Sequence, residues 1–193
     1  MKSPICSRTV VCMDEKPIAL HADVRSPTPA KPGKPAKPCG TANVFGVVEP
    51  KTGRHFTTAT PDRSGTEFAR MVGHVVKEYR FAKTIHLVVD NLNSHSRNSL
   101  INYYGEQEGG YLWDRLTVHY TPKHGSWLNQ AEIELSRYSQ CLGKRRFPDV
   151  DLLRRETQAW NRTANAKRTK IDWRFTRRKA RKVFRDAKPR RAE

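Results

Sequence analysis

Two short β-branched runs, each closed by an aspartate, constrain this chain more than any other feature. Thr9-Val10-Val11-Cys12-Met13 leads into Asp14, and the apolar run Ile85 to Val89 leads into Asp90. Runs of this length and composition read as buried strands. Between them, residues 25–38 carry Pro27, Pro29, Pro32, Pro35 and Pro38 among lysines. That density of proline forbids helix and central strand, so the stretch is expected as an extended linker or surface loop. Ala42 to Val48, the turn Glu49-Pro50-Lys51-Thr52-Gly53 and Arg54 to Thr60 then read as a hairpin.

Phe68, Met71, Val72, Val75 and Val76 recur at helical spacing, which predicts a helix from Asp62 or Ser64 to about Tyr79. Further helices are expected over 96–104, 129–142 and from an Asp149 cap to about Trp160. A short strand is expected over 116–120, and Thr176 can cap a last, very basic helix. A hairpin followed by alternating helix and strand predicts the α/β class. The expected architecture is one mixed sheet, an antiparallel hairpin plus parallel strands, flanked by helices. Residues 1–145 are expected as the core, with the Pro-rich loop at 25–39, and residues 146–193 as a basic helical extension packed on it.

If the two aspartate-closed strands are neighbours, Asp14 and Asp90 meet at one sheet edge. Two bare carboxylates ~4 Å apart repel by about 1–4 kcal/mol at effective dielectrics of 80 to 20, and a divalent cation offsets that. Hard oxygen ligands favour Mg²⁺ or Mn²⁺. An aspartate after a strand also serves simply as a turn residue, so position alone leaves both readings open. A third acid lies on the 129–142 helix, where Ala131, Leu135, Tyr138 and Leu142 form the stripe that faces the sheet. Glu132 projects about 100° round from Ala131, at the margin of that stripe, whereas Glu134 is expected on a more solvated side. A surface salt bridge is the alternative for both.

Charge narrows the partner. The chain has 37 Lys and Arg against 19 Asp and Glu, a formal +18, and residues 141–193 hold 19 basic against 6 acidic residues. Such a surface attracts polyanions, and the basic residues Arg174, Arg177, Arg178, Lys179, Arg181 and Lys182 suit binding to the nucleic-acid backbone. Cys6, Cys12, Cys39 and Cys141 form no CxxC pair and no zinc-ligand pattern, so free thiols in a reducing cytoplasm are expected. No apolar run approaches the ~18 residues of a membrane span.

Three extended motifs carry a resemblance. Val11-Cys12-Met13-Asp14-Glu15-Lys16-Pro17, Val88-Val89-Asp90-Asn91-Leu92-Asn93-Ser94-His95 and Tyr120 to Glu132 look like the three acid motifs, in order, of DDE transposases of the mariner-like superfamily carried by bacterial insertion sequences. Gly40 to Phe45 and Ile171 to Thr176 also resemble that family, and the likeness runs from about Val10 to Phe184. It implies an RNase H-like fold and a catalytic triad of Asp14, Asp90 and Glu132 that holds two Mg²⁺ or Mn²⁺ ions. Asp14 would bridge the ions, with Asp90 and Glu132 each holding one. The implied function is metal-dependent cleavage and strand transfer of DNA during transposition. Asn91, Asn93 and His95 are expected to orient a ligand, touch a DNA phosphate or cap the helix at Ser96, and Lys123 and His124 to meet DNA at the mouth of the site. Trp127 and Trp160 are expected to pack rather than stack on bases.

Relatives of this kind carry an N-terminal helix-turn-helix region, and this chain begins almost at its first acid motif. The expectation is that a separately encoded DNA-binding half supplies that region, and that the enzyme works as a homodimer on DNA, in the cytoplasm and at the nucleoid. Two other readings stay open: a catalytically inactive nucleic-acid-binding remnant, and a stand-alone RNase H-like nuclease. The first of these draws on the short connection from Pro38 into Cys39-Gly40-Thr41 beside Asp14.

Overall fold

The computed structural model describes residues 8–21, 38–122, 125–143, 145–176, 178, 179 and 182. Strands β1 (Arg8–His21), β2 (Pro38–Glu49), β3 (Arg54–His55), β4 (Thr58–Thr60), β5 (Thr84–Val89) and β6 (Leu116–Tyr120) form one sheet in the order β3-β2-β1-β5-β6, with β4 also on β2. β1 and β2 are antiparallel, whereas β1, β5 and β6 run parallel. Helices α1 (Gly65–Glu78), α2 (Arg97–Tyr104) and α3 (Glu106–Asp114) lie to one side, and α4 (Ala131–Leu142) and α5 (Val150–Lys167) to the other. The expected mixed, helix-flanked sheet is present.

Strand periodicity sorts β1 between two layers. Val11 and Met13 join Phe45, Val47, Leu87 and Val89 against Phe68, Val72 and Val75 of α1. Each such side chain contributes roughly 1.5–3 kcal/mol by leaving water. On the opposite side, Val44 and Ala42 pack with Leu135, Tyr138, Leu142 and Leu153, while Cys12 and Val48 meet Ala131.

β1 is far longer than the apolar run Thr9–Met13, so Asp14 lies within a strand rather than at its end. The continuation is polar, Asp14-Glu15-Lys16-Pro17, and is held by antiparallel pairing to β2 as far as His21 opposite Pro38. The parallel ladder to β5 stops at Cys12 opposite Val88, so Pro17 stands where the strand has one partner and a missing N–H is tolerated. Pro38 belongs to β2, and the rest of the Pro-rich stretch lies outside the described residues.

The expected single strand over 54–60 is two short pieces, both on β2. Their outer edge is closed by α5. Asn165 accepts from His55 N–H (2.9 Å) and donates to its carbonyl (3.0 Å), and Asn161 accepts from Thr57 N–H (3.1 Å). Two amides one helical turn apart thus stand in for a neighbouring strand. α5 runs seven residues past Trp160 because this face is engaged to its last turn.

α3 was not expected, since Gly109-Gly110 reads as a helix breaker. A Cβ at Gly109 would lie 2.6 Å from the Leu100 carbonyl, so glycine there is what lets α3 touch α2. Ser64 caps α1 and Asp149 caps α5, as the sequence predicts. Thr176 Oγ1 accepts from Lys179 N–H at 3.3 Å, and most of the expected last helix lies outside the described residues. Among the described residues, no helix is long and apolar enough to cross a membrane.

Candidate active site

Asp14 and Asp90 stand at matching heights on adjacent strands. Cys12 pairs with Val88 in the parallel ladder, and each aspartate follows two residues later. This is the carboxyl end of the parallel strands, where open α/β sheets collect their ligands.

α4 brings the third acid. A 3₁₀ turn over Ser126–Leu128 leads to Asn129, which is fully buried. Its Nδ2 donates to the Met13 carbonyl at 2.6 Å, and its Oδ1 accepts from Ala131 N–H at 3.2 Å. One side chain therefore ties the start of α4 to the strand that carries Asp14. Ala131 then packs on Cys12, the residue two before Asp14 on the same face. The residue opposite Asp14 on β2 is Gly46, where a Cβ would stand 2.7 Å from Leu135 of α4. The missing side chain lets the helix settle beside Asp14, with Glu132 half-buried in its first turn.

The electrostatics of Asp14 record the crowding. Burial, first, and then the charges of Glu15, Glu132 and Asp90 raise its carboxyl to about 7, against a partial offset from the Glu15 N–H that it accepts at 2.9 Å. Asp14 thus lies within electrostatic reach of both Asp90 and Glu132, three carboxylates whose oxygens are the donor type that suits a hard divalent cation. Cys12, beside them, is pushed up to about 11 by burial and stays a thiol.

A stability consequence follows for the metal-free protein. The fold holds the Asp14 proton up to about pH 7, whereas an ordinary aspartate releases it near 3.8. Between these values the folded state binds more protons than the unfolded chain, so stability falls as pH rises through the window. Asp14→Asn removes the ionisation and keeps an oxygen for the Glu15 N–H. In chelator at pH 8 it is expected to be more stable than wild type by on the order of 2 kcal/mol, and near pH 4 to lose that advantage. Thermal melts at the two pH values check this, and an equal gain at both would contradict it.

The tightest cluster of ligand-type atoms among the described residues is a different one. Glu15, Asp90 and His95 each place such an atom within 4.8 Å of the others. His95 Nε2 lies 2.9 Å from Glu15 Oε1, and Nδ1 lies 2.7 Å from Asp90 Oδ1. Nε2 is hydrogen-bonded to Glu15, and Nδ1 is hydrogen-bonded to the main-chain carbonyl of Asp90 at 3.3 Å, so both ring nitrogens are engaged within the protein. Burial alone would lower the His95 pKa, but the bond to Glu15 and the charges of Glu15 and Asp90 outweigh it and raise it.

The remaining expectations divide. Asn91 and Asn93 are exposed on the loop after β5, and Ser96 begins α2 without a side-chain cap. Lys123, His124, Arg177 and Arg181 lie outside the described residues. Arg178, Lys179 and Lys182 are exposed, and Arg174 is paired with Asp172 at 2.7 Å. Glu134 is buried rather than solvated, because β3 and Arg137 enclose it: His55 Nε2 is 3.5 Å and Arg137 2.9 Å away. Trp160 packs edge-on against His55 and Tyr138, as expected. Trp127 is 43% exposed and meets the edge of the Phe175 ring. Two residues went unnoticed in the sequence. Asn129 carried the signal of an amide just ahead of a helix, and Glu15 that of an acid whose strand parity sets it opposite Asp14.

Comparison with known proteins bears on this geometry. A family model described as "DDE superfamily endonuclease" matches residues 9–154. No curated protein sequence matches. Among solved structures, the Mos1 transposase paired-end complex with left transposon end is similar at 13% identity and a TM-score of 0.54, over 81% of this chain and 48% of that one. The Mos1 mariner paired end complex with Mn is similar at 12% and 0.51, over 83% and 49%. A pre-cleavage Mos1 transpososome is similar at 12% and 0.52, over 86% and 57%. The chain spans about half the length of these Mos1 chains. At such identities the likeness is one of fold, the RNase H-like sheet with helices on both faces.

Proposed function

This chain belongs to the DDE superfamily of endonucleases, and from that premise we propose that it is the catalytic portion of a mariner-type transposase that cuts and rejoins DNA. The observation that carries the proposal is that Asp14 follows the β1–β5 ladder at the same height as Asp90 and feels the charge of Glu132 of α4, at the carboxyl end of the parallel strands. These three residues would hold the divalent cations, two Mg²⁺ or Mn²⁺. Bound there, the cations supply Lewis-acid activation of the attacking oxygen and stabilisation of the leaving oxygen.

The chain's own work is positioning. Asn129 and the gap at Gly46 hold Glu132 over β1, and the β1–β5 register holds Asp14 beside Asp90. The excess of basic residues draws the DNA backbone to a site that is itself acidic. We assign the nonspecific backbone contacts to the basic residues from Arg174 to Lys182. We assign the ends of an insertion sequence as the DNA on which two copies of the enzyme are joined.

Supercoiled plasmid with Mg²⁺ or Mn²⁺ tests the core of the proposal. Wild type is expected to nick only with metal, and Asp90→Asn is expected to lose at least ~100-fold in rate, the scale of removing one transition-state stabiliser. Nicking by Asp90→Asn at the wild-type rate would sink the assignment. Joined products from a duplex with a free 3′-hydroxyl distinguish strand transfer from a nuclease that only cuts.

A further inference from the structure

We infer that Glu15 and His95 are positioning residues of the cation site: Glu15 holds the His95 ring, and the ring holds one oxygen of Asp90, leaving the other oxygen for the cation. This rests on the assignment of Asp14, Asp90 and Glu132 as ligands.

Strand parity separates the two neighbouring acids of β1. Asp14 lies on the face of Cys12 and α4, whereas Glu15 lies on the face of Met13 and Phe45, its partner in β2. Glu15 therefore reaches the site from the far side of the sheet, through the layer that α1 covers. Its side chain is 5% exposed and that of His95 1%, while Asp90 at 34% remains open to solvent. Nε2 is hydrogen-bonded to Glu15, and Nδ1 is hydrogen-bonded to the Asp90 main-chain carbonyl at 3.3 Å while lying 2.7 Å from Asp90 Oδ1, so the buried ring is clamped between the two acidic residues.

The clamp has little freedom. Phe68 of α1 lies against the ring at 4.6 Å between centroids, and Tyr120 of β6 donates its hydroxyl to the His95 carbonyl at 2.7 Å. The loop after β5 adds a bond from Leu92 N–H to Asp90 Oδ1 at 3.3 Å. Asp90 Oδ1 is thus committed to the protein from two directions. A buried pair of this kind adds little net stability compared with apolar residues of similar size. What it supplies is a fixed rotamer for a ligand that sits on a loop. Removing such supports from ligating side chains typically weakens metal affinity by about 10–100-fold.

The test uses the full chain, free of DNA, titrated with Mn²⁺ and read from the electron paramagnetic resonance signal of the unbound ion. The double variant Glu15→Val/His95→Leu replaces the clamp with apolar residues that suit a strand and a buried site, so the fold is expected to survive. Its Mn²⁺ dissociation constant is expected to rise about 10–100-fold with an unchanged or higher melting temperature. The Mn²⁺ concentration that half-saturates plasmid nicking should rise by the same factor, while the rate at saturating Mn²⁺ stays within several-fold of wild type. A folded double variant with wild-type Mn²⁺ affinity overturns the inference, as does a collapsed rate at saturation with affinity unchanged. If the double variant does not fold, His95→Gln decides by the same titration: at least tenfold weaker binding is expected, and wild-type binding overturns the inference. Asp14→Asn is measured alongside. If it too binds Mn²⁺ like wild type, the ligand assignment fails rather than the clamp.

Discussion

Asp14→Asn is expected to lower metal-dependent DNA cleavage by about 1000-fold or more while leaving DNA affinity within about twofold of wild type. A bound metal contributes several kcal/mol of charge stabilisation in the transition state, and each 1.36 kcal/mol is a factor of ten. Asn has the shape of Asp and can still accept the Glu15 N–H that Asp14 accepts at 2.9 Å, so the backbone of β1 has no reason to move. What disappears is the charge that Glu15, Glu132 and Asp90 crowd. On the proposed reading, affinity for DNA comes from the basic residues from Arg174 to Lys182, which this substitution leaves unchanged. Nicking rates beside gel-shift affinities measure both quantities. Cleavage within tenfold of wild type would remove Asp14 from the mechanism, and a parallel loss of DNA binding would show damage to the fold instead.

Asn129→Ala is the second large effect, and it touches no ligand. The fully buried Asn129 amide is the bolt between α4 and β1, donating to the Met13 carbonyl and accepting from Ala131 N–H. Truncation leaves a buried carbonyl short of a donor, which costs about 1–3 kcal/mol. The first turn of α4 is then free to shift, and Glu132 with it. Misplacement of a reacting group by ~1 Å costs on the order of 100-fold in rate. The expected outcome is a folded protein with a lower melting temperature and about 100-fold slower nicking. Full activity in a destabilised variant would mean that packing of Ala131 and Leu135 alone places Glu132.

The sequence disclosed the sheet through its apolar runs, and the register of those runs brought Asp14 and Asp90 together. It did not disclose how far β1 runs. Asp14-Glu15-Lys16-Pro17 looks like the end of a strand because nothing local holds it; β2, more than twenty residues away in sequence, does. Helical periodicity found the stripe Ala131, Leu135, Tyr138 and Leu142, but it could not show that α4 has a second covered side. Glu134 therefore looked solvated, although His55 and Arg137 enclose it. α3 was hidden for a related reason, since Gly109 disfavours helix locally and permits the approach to Leu100. In each case a contact distant in the chain overrides a local preference.

The two faces of β1 carry a last consequence. Asp14 is completed from the α4 side, and Asp90 is steadied by Glu15 and His95 from the α1 side. Neither half of the molecule makes a cutting centre by itself. A chain with either layer peeled away no longer holds these acids together. On the proposed function, competence to cut DNA belongs only to the chain whose two helix layers have both closed on the sheet.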